Sequence, residues 1–140
     1  MDLLKKMLGL FVMLKVGSMY KVTGDFNCNK NKLTSLEGAP ESVGGSFYCG
    51  YNKLTSLAGA PETVGGSFYC GYNELTSLSG APKSVGGNFY CHNNKLTSLE
   101  GVPKTVAGYF DCSNNPGPNG EGFTEEDVRA VCDVKGYIYV

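Results

Sequence analysis

Six cysteines are the residues best equipped for chemistry in this sequence, since thiolates attack electrophiles, bind metals and form disulfides. Five of them recur every 21 residues: Cys28, Cys49, Cys70, Cys91 and Cys112. Side by side in a column, their Cβ vectors would suit disulfides badly, and a straight column cannot surround one metal ion tetrahedrally. We therefore predict reduced core thiols, no metal and no cofactor, with Cys132 packed near the C-terminus. Reduced thiols indicate a cytoplasmic protein, in the host cytoplasm if the chain is viral.

The single histidine is the other candidate for chemistry. His92 would lie near Asp111 if the two positions occupy neighbouring strands, and such a pair could exchange protons or bind a metal. No serine or cysteine nucleophile is expected on the same face, because Cys91 should point inward. A lone histidine without an organised set of partners lacks the geometry that catalysis requires. We therefore predict that the protein is not an enzyme.

The composition argues against two classes of partner. The 140 residues include 12 Lys+Arg and 13 Asp+Glu, for a net charge of -1. This balance provides no general attraction to nucleic acid or to an anionic membrane. No apolar run approaches the roughly 18 residues that span a bilayer. We expect neither a nucleic-acid partner nor a membrane partner.

An internal repeat of 21 residues indicates the fold class. Four blocks follow one another in register: 26–46, 47–67, 68–88 and 89–109. A fifth block begins at Phe110 and breaks at Pro116. One block has too few apolar anchors to fold alone, so neighbouring blocks must stack and share a core. Because Phe47 and Cys49 alternate with outward positions, we predict a solenoid with a short parallel β-sheet on one face and loops or 3₁₀ turns on the other.

The block pattern x-F-x-C-x-x-N-x-L-x-x-L resembles the leucine-rich repeat. In the second block the matching positions are Phe47, Cys49, Asn52, Leu54 and Leu57. The block is similar to the short repeats of bacterial effector proteins and, through its cysteine, to compact repeats encoded by bacteriophages and large viruses. The resemblance covers residues 22–115 and implies a leucine-rich-repeat-like solenoid. It also suggests a phage-encoded factor that binds or inhibits a bacterial host protein, although this family binds many kinds of partner.

The asparagines form a second column at the repeat interval. Its members are Asn31, Asn52, Asn73, Asn94 and Asn115. Each follows the predicted strand at the point where the chain turns inward. A buried side-chain amide there can bond the backbone groups that the turn leaves unpaired. We predict a structural role for this column.

Function should lie on the outward side of the strands, because the inward positions form the core. Stacked in register, Tyr48, Tyr69 and Tyr90 form one column, and Tyr51 and Tyr72 form a second. Tyrosine among serine, glycine and asparagine is typical of antibody paratopes, and tyrosine is enriched in interface hot spots. The alternative is that aromatic residues favour strands and these columns only pack. The candidate partner-binding residues are Tyr48, Tyr51, Tyr69, Tyr72, Tyr90, His92, Tyr109 and Asp111.

The first 21 residues are interpreted as a capping helix and its lead-in. Residues 2–14 place Leu4, Met7, Leu8 and Phe11 at helical spacing. Such a helix would cover the exposed apolar end of the solenoid. A secretory signal is the rival interpretation, but the segment has no small-residue cleavage site. A helix lying on a membrane surface is a further alternative, with few basic residues to support it.

Residues 116–140 are interpreted as a C-terminal cap that follows the repeats of residues 22–115. Thr124 and the acidic residues after it predict the start of a helix. The final residues alternate in the manner of a strand, with Ile138 and Val140 predicted to point inward.

The pattern as a whole predicts a non-enzymatic protein-binding module that uses a tyrosine-rich face. A glycan-binding surface is one alternative, since sugars stack on aromatic rings. A structural module that self-associates through the same face is another. Five or six strands by four residues give roughly 330 Å², below the roughly 800 Å² per partner of a standard interface. A tight complex must therefore also use residues beside the tyrosines.

Overall fold

The chain winds into a parallel β-solenoid. The computed structural model describes the backbone of residues 13–16 and 19–140 and the side chains of residues 20–140. Ser42 pairs with Thr63, and Thr63 pairs with Ser84, so equivalent residues 21 positions apart lie side by side on successive turns. The solenoid predicted from the repeat is confirmed.

Each turn contributes a short strand to each of two sheets. The first, called the valine sheet, contains β1 (Met13–Val16), β2 (Met19–Val22), β4 (Ser42–Val43), β6 (Thr63–Val64), β8 (Ser84–Val85), β10 (Thr105–Val106) and β12 (Asp133–Val134). The second, called the phenylalanine sheet, contains β3 (Phe26–Asn27), β5 (Phe47–Tyr48), β7 (Phe68–Tyr69), β9 (Phe89–Tyr90), β11 (Phe110–Asp111) and β13 (Ile138–Tyr139). All pairs are parallel except β1 with β2.

The prediction of a single sheet per turn, with loops or 3₁₀ turns opposite, is therefore wrong. The missed strands have a single apolar residue each, such as Val43 in β4, and a glycine pair follows β4, β6 and β8, so no alternation surrounds them, whereas Phe47 and Cys49 alternate around β5. The glycine pairs also let adjacent turns approach closely. A Cβ atom on Gly65 would collide with the carbonyl oxygen of Gly44. The remainder of each repeat is turns and bends, with no 3₁₀ helix between residues 19 and 140.

The core consists of stacked columns of identical residues. Phe26, Phe47, Phe68, Phe89 and Phe110 form one column, in which neighbouring ring centroids lie 5.4–5.5 Å apart with nearly parallel planes. The five repeat cysteines form another and are fully buried free thiols, as predicted from their spacing. Leucines and the inward valines fill the rest of the interior. Stacking thus completes a core that no single turn could form.

The asparagine column has the predicted structural role at Asn52, Asn73, Asn94 and Asn115, which are buried and bond the backbone, whereas Asn31 is exposed. The bonds also join successive turns, which the sequence did not predict. Nδ2 of Asn52 donates to the carbonyl oxygens of Cys28 and Cys49, each at 3.0 Å. Oδ1 of Asn52 accepts hydrogen bonds from the backbone N–H groups of Asn31 and Leu33 at 2.9 and 3.0 Å. One side chain therefore satisfies backbone groups of its own turn and of the preceding turn.

The predicted N-terminal helix lies mostly outside the described residues. Of its residues 2–14, only Met13 and Leu14 are described, and they belong to β1. This strand pairs antiparallel with β2, and β2 in turn pairs parallel with β4.

The predicted C-terminal helix is present as α1 (Glu125–Arg129), the one helix among the described residues. Thr124 is its N-cap, and the Asp127 side chain completes a capping box. The helix lies within the last turn and does not close the end of the stack, because β12 and β13 follow it and join both sheets. Thr105 pairs with Asp133, 28 positions along, so this turn is longer than the others.

The register of the final residues was predicted only in part. Ile138 is partly buried and packs against the core, in line with Phe110. Val140 is 52% exposed, so its predicted inward position is wrong. No described turn lies beyond it, and a side chain on the last turn is covered from one side only.

Candidate functional site

The phenylalanine sheet positions the first tyrosine column. Tyr48, Tyr69 and Tyr90 are the second residues of β5, β7 and β9, and they pair in register. Their neighbours in sequence are fully buried, Phe68 and Cys70 in the case of Tyr69. Because side chains alternate along a strand, the three phenol rings lie on the outer face and are partly exposed. The expected sidedness of the strand is therefore present.

The rings of this column lie against one another. The centroids of Tyr48 and Tyr69 are 5.9 Å apart, and those of Tyr69 and Tyr90 are 4.3 Å apart, with planes tilted by 33° and 32°. The hydroxyl of Tyr90 also accepts a hydrogen bond of 2.9 Å from Nδ2 of Asn88. Burial, and then the nearby phenol of Tyr90, raise the pKa of Tyr69, so its hydroxyl keeps its proton in ordinary conditions.

The second tyrosine column follows the strands, where the backbone enters the left-handed region. The φ angles of Tyr51 and Tyr72 are 54° and 56°. Their rings stack at 4.3 Å and are among the most exposed large side chains of the repeats. Lys30 belongs to the turn before Tyr51, and its Nζ lies 5.2 Å from the Tyr51 ring centroid. A side-chain hydrogen bond with Tyr51 raises the pKa of Tyr72.

His92 lies between the two columns and contacts both. Its ring stands edge-on to those of Tyr69, Tyr72 and Tyr90, at centroid distances of 6.0, 5.4 and 6.1 Å. The histidine ring covers Gly71, where a Cβ atom would lie 3.0 Å from Nε2. A glycine on the preceding turn thus makes room for the imidazole at the centre of the aromatic group.

Asp111 interrupts the first tyrosine column on the turn after Tyr90. Its Oδ2 lies 3.3 Å from the buried Nδ1 of His92, although the two atoms are not aligned for a hydrogen bond. Its Oδ1 accepts hydrogen bonds from the backbone N–H and the hydroxyl of Ser113. The structure therefore brings His92 and Asp111 together, as their spacing predicted. Within the described part of the chain, no three His, Cys, Asp or Glu residues form a group that could hold a metal ion.

Tyr109 does not belong to either column. It lies at the position of Asn88 on the preceding turn, and its backbone N–H donates to Oδ1 of Asn88 at 2.7 Å. Its ring contacts those of Tyr137 and Tyr139 at centroid distances of 5.8 and 6.2 Å. These three exposed tyrosines form a separate group at the C-terminal end of the sheet.

Two contacts of the site were not foreseen from the sequence. Lys30 lies over the ring of Tyr51, and Asn88 bonds the hydroxyl of Tyr90. The repeat alignment places Lys30 at the Tyr51 position and Asn88 at the Ser67 position, so both were recognisable as outward residues. Nothing in the spacing indicates which of the neighbouring rings each would reach.

Comparison with known proteins gives no family assignment. No protein-family model, curated protein or solved structure matches this chain. Among the described residues, no helix is long and apolar enough to cross a membrane. What the structure supports is a repeat β-solenoid with turns of 21 residues.

Proposed function

We propose that this chain is a non-enzymatic protein-binding module that uses a tyrosine surface, defined as Tyr48, Tyr51, Tyr69, Tyr72, Tyr90 and His92. The observation that carries the proposal is the conformation of Tyr51 and Tyr72. Both are bulky aromatic residues with positive φ and substantial exposure, at 48% and 43%. A bulky residue in the left-handed region is uncommon and costs about 1–2 kcal/mol.

The same backbone position carries asparagine on later turns. Asn93 and Asn114 have φ angles of 54° and 55°. Asparagine tolerates this conformation because its short polar side chain can bond the local backbone. The fold therefore does not require tyrosine at this position. Stacking of the two rings contributes about 0.5–1.5 kcal/mol, the Lys30 contact with Tyr51 about 0.5–1 kcal/mol and the His92 contact with Tyr72 about 0.5–1.5 kcal/mol. Together they only offset the conformational cost of about 2–4 kcal/mol, so packing gives tyrosine no advantage over asparagine here. We attribute the presence of tyrosine, and not asparagine, at these two positions to contact with a partner.

The orientation of the rings favours a protein over a glycan. One face of Tyr51 lies against Tyr72 and the other lies beneath Lys30. Tyr69 is likewise flanked by Tyr48 and Tyr90. Sugars stack on open ring faces, whereas these columns offer mainly ring edges and hydroxyl groups. Such a surface suits the mixed apolar and hydrogen-bonding contacts of a protein interface.

Replacing both tyrosines of the second column by asparagine is expected to leave the stability of the fold nearly unchanged. The Tyr51→Asn/Tyr72→Asn variant should change the free energy of unfolding by less than about 1 kcal/mol, because relief of two strained residues is offset by loss of the ring pair and of the Lys30 and His92 contacts. Urea denaturation followed by circular dichroism would measure the change. Tyr69→Asn is the matched control and should be destabilising, since Tyr69 is partly buried in a strand. A loss of more than 1 kcal/mol in the double variant would favour the packing interpretation.

The same double variant tests binding without loss of the fold. Wild-type chain immobilised as bait in a bacterial cytosolic extract is expected to retain a partner that the variant captures at least about tenfold less, because tyrosines at interface centres are frequent hot spots. The choice of extract follows the likeness to phage repeats. A bait with Lys53→Ala, a change outside the tyrosine surface, should behave as wild type. Equal capture by wild type and double variant would contradict the proposal, and binding only to a glycan array would replace it with the sugar alternative.

A further inference from the structure

The corner beside the valine sheet carries a column of charges in an unusual order. Along successive turns its members are Glu41, Glu62, Lys83 and Lys104. Backbone bonds of 2.8, 3.3 and 2.9 Å link each residue to the next and fix their sequence along the solenoid. None of these side chains forms an ion pair or hydrogen bond with any residue between 20 and 140. Two anions are thus followed by two cations, all without partners in this part of the chain.

This order is unfavourable within one chain. Equivalent residues on adjacent parallel strands lie about 4.8 Å apart, and like charges placed side by side repel. Another column of the solenoid shows the favourable alternative, in which Nζ of Lys95 bonds Oε2 of Glu74 on the preceding turn at 3.1 Å. The segregated column is therefore not explained by ion pairs or side-chain hydrogen bonds between residues 20 and 140.

The outward column of the valine sheet also carries opposite charges at its two ends. Its members in register are Lys21, Ser42, Thr63, Ser84, Thr105 and Asp133. A cation stands on the first of these turns and an anion on the last, and small hydroxyl side chains lie between them. Asp133 also pairs with Lys135 at 2.7 Å on the surface. No large side chain projects from the centre of this face to keep a second sheet away.

We propose that the outer face of the valine sheet docks on the same face of a second copy of this chain, with the two solenoids antiparallel. The two-fold axis lies in the interface, parallel to the strands and between β6 and β8. Each column of one copy then lies against the same column of the second copy, which runs in the opposite direction. Glu62 then faces Lys83 of the second copy, Glu41 faces its Lys104, and Lys21 faces its Asp133. Each pairing occurs twice, as the symmetry of an isologous interface requires.

The order of the charges also selects between the two possible face-to-face arrangements. A two-fold axis along the solenoid would reverse the strand direction and place the charged corner column of one copy against the opposite edge of the second copy's face, at the glycine pairs that follow β4, β6 and β8. That parallel arrangement therefore provides none of the opposite-charge contacts that the column makes in the antiparallel one. Only the antiparallel arrangement turns the unfavourable order within one chain into attraction between two chains.

The size of the face limits the strength of association. Six strands about 4.8 Å apart and three or four residues across give on the order of 300 Å² per copy, below the roughly 800 Å² of a standard interface. The dimer is therefore weak and depends on electrostatics that salt screens. The phenylalanine sheet stays uncovered, so this inference does not rest on the tyrosine surface.

Sedimentation equilibrium of the whole chain tests the inference. At about 20 mM salt we expect reversible dimerisation, weakening at least about tenfold at about 0.5 M salt. The Glu62→Lys variant and the Lys83→Glu variant should each lose dimerisation. In either variant, residues 62 and 83 carry the same charge, so both symmetry-related contacts join like charges. An equimolar mixture of the two variants should dimerise again, since every contact then joins opposite charges.

The controls separate this face from other surfaces. Glu74→Lys makes the same change in net charge on a different column and should dimerise as wild type. All changed side chains are exposed, and thermal unfolding of each variant checks that the fold is retained. A wild-type chain that stays monomeric at millimolar concentration and low salt overturns the proposal. So does a mixture that fails to dimerise, or a dimer lost only in the Tyr51→Asn/Tyr72→Asn variant.

Discussion

Raising the pH above about 9 is expected to unfold this solenoid steeply. Burial raises the pKa of Cys28 and of Cys112 from 9.0 to about 12. Burial also raises the pKa of Cys70, and burial together with neighbouring cysteines raises those of Cys49 and Cys91. Unfolded thiols lose their protons near pH 9, whereas the folded thiols keep theirs. The free energy of unfolding is therefore unaffected below about pH 9 and falls as the pH rises toward the folded-state values.

The loss of stability at alkaline pH is large because the five thiols of the cysteine column all contribute to it. Each thiol contributes a loss of about 1.4 kcal/mol per pH unit, so five contribute about 7 kcal/mol per unit. Domains of this size have total stabilities of about 5–15 kcal/mol, which places the alkaline midpoint near pH 10 to 11. Urea denaturation at several values between pH 7 and pH 10.5, followed by circular dichroism, would measure the slope.

Removing one thiol is the control for other alkaline effects. Cys70→Ala should lower the stability at pH 7 through the cavity it leaves, and should reduce the slope above pH 9 by about 1.4 kcal/mol per pH unit. Lysine and tyrosine ionisation are the same in both proteins. An unchanged slope would contradict the assignment to buried thiols. Alkylation at pH 8 gives a second measurement, in which the column thiols should react only after unfolding.

Removing one asparagine from the middle of its column is expected to cost about 3–5 kcal/mol. Asn73→Ala takes away the acceptor of the Leu54 N–H and the donor to the carbonyl oxygens of Cys49 and Cys70, all at 3.0–3.1 Å. Each buried backbone group left unpaired costs about 1–3 kcal/mol. Chemical denaturation at pH 7 would measure the loss in free energy of unfolding.

The first member of the same column is the matched control. Asn31 is exposed, and Nδ2 donates to the carbonyl oxygen of Asn29 at 2.9 Å rather than to a buried turn. Asn31→Ala should therefore cost less than about 1 kcal/mol. Equal losses at the two positions would show that the asparagine acts through local turn preference and not by linking turns.

The agreement between sequence and structure is greatest where the repeat itself carries the information. A short motif copied every 21 residues leaves a stack as the only way to bury its apolar anchors, so the solenoid follows from periodicity. Alternation around Phe68 and Cys70 then settles which side of the strand is buried and which carries Tyr69. The contact of His92 with Asp111 follows from the same register.

The disagreements lie where the signal is too short or depends on neighbours. The strand β6 has Val64 as its single apolar residue and is followed by Gly65 and Gly66, so no alternation marks it and the second sheet was missed. The exposure of Val140 depends on what covers the last turn, which its own alternation does not specify. The left-handed backbone of Tyr72 could not be anticipated either, because propensity argues against it.

The sequence alone determined the stack, its interval and the inward side of its central strands, because periodic burial is written in residue type and spacing. Tertiary structure decided which ring faces are covered, which backbone positions are strained and which charges lack partners. Those properties belong to atoms brought together from different turns, so they exist only once the chain has wound. The contact of Lys30 with the Tyr51 ring is one example, and another is Lys83, which lies beside Glu62 and forms no ion pair with residues 20–140.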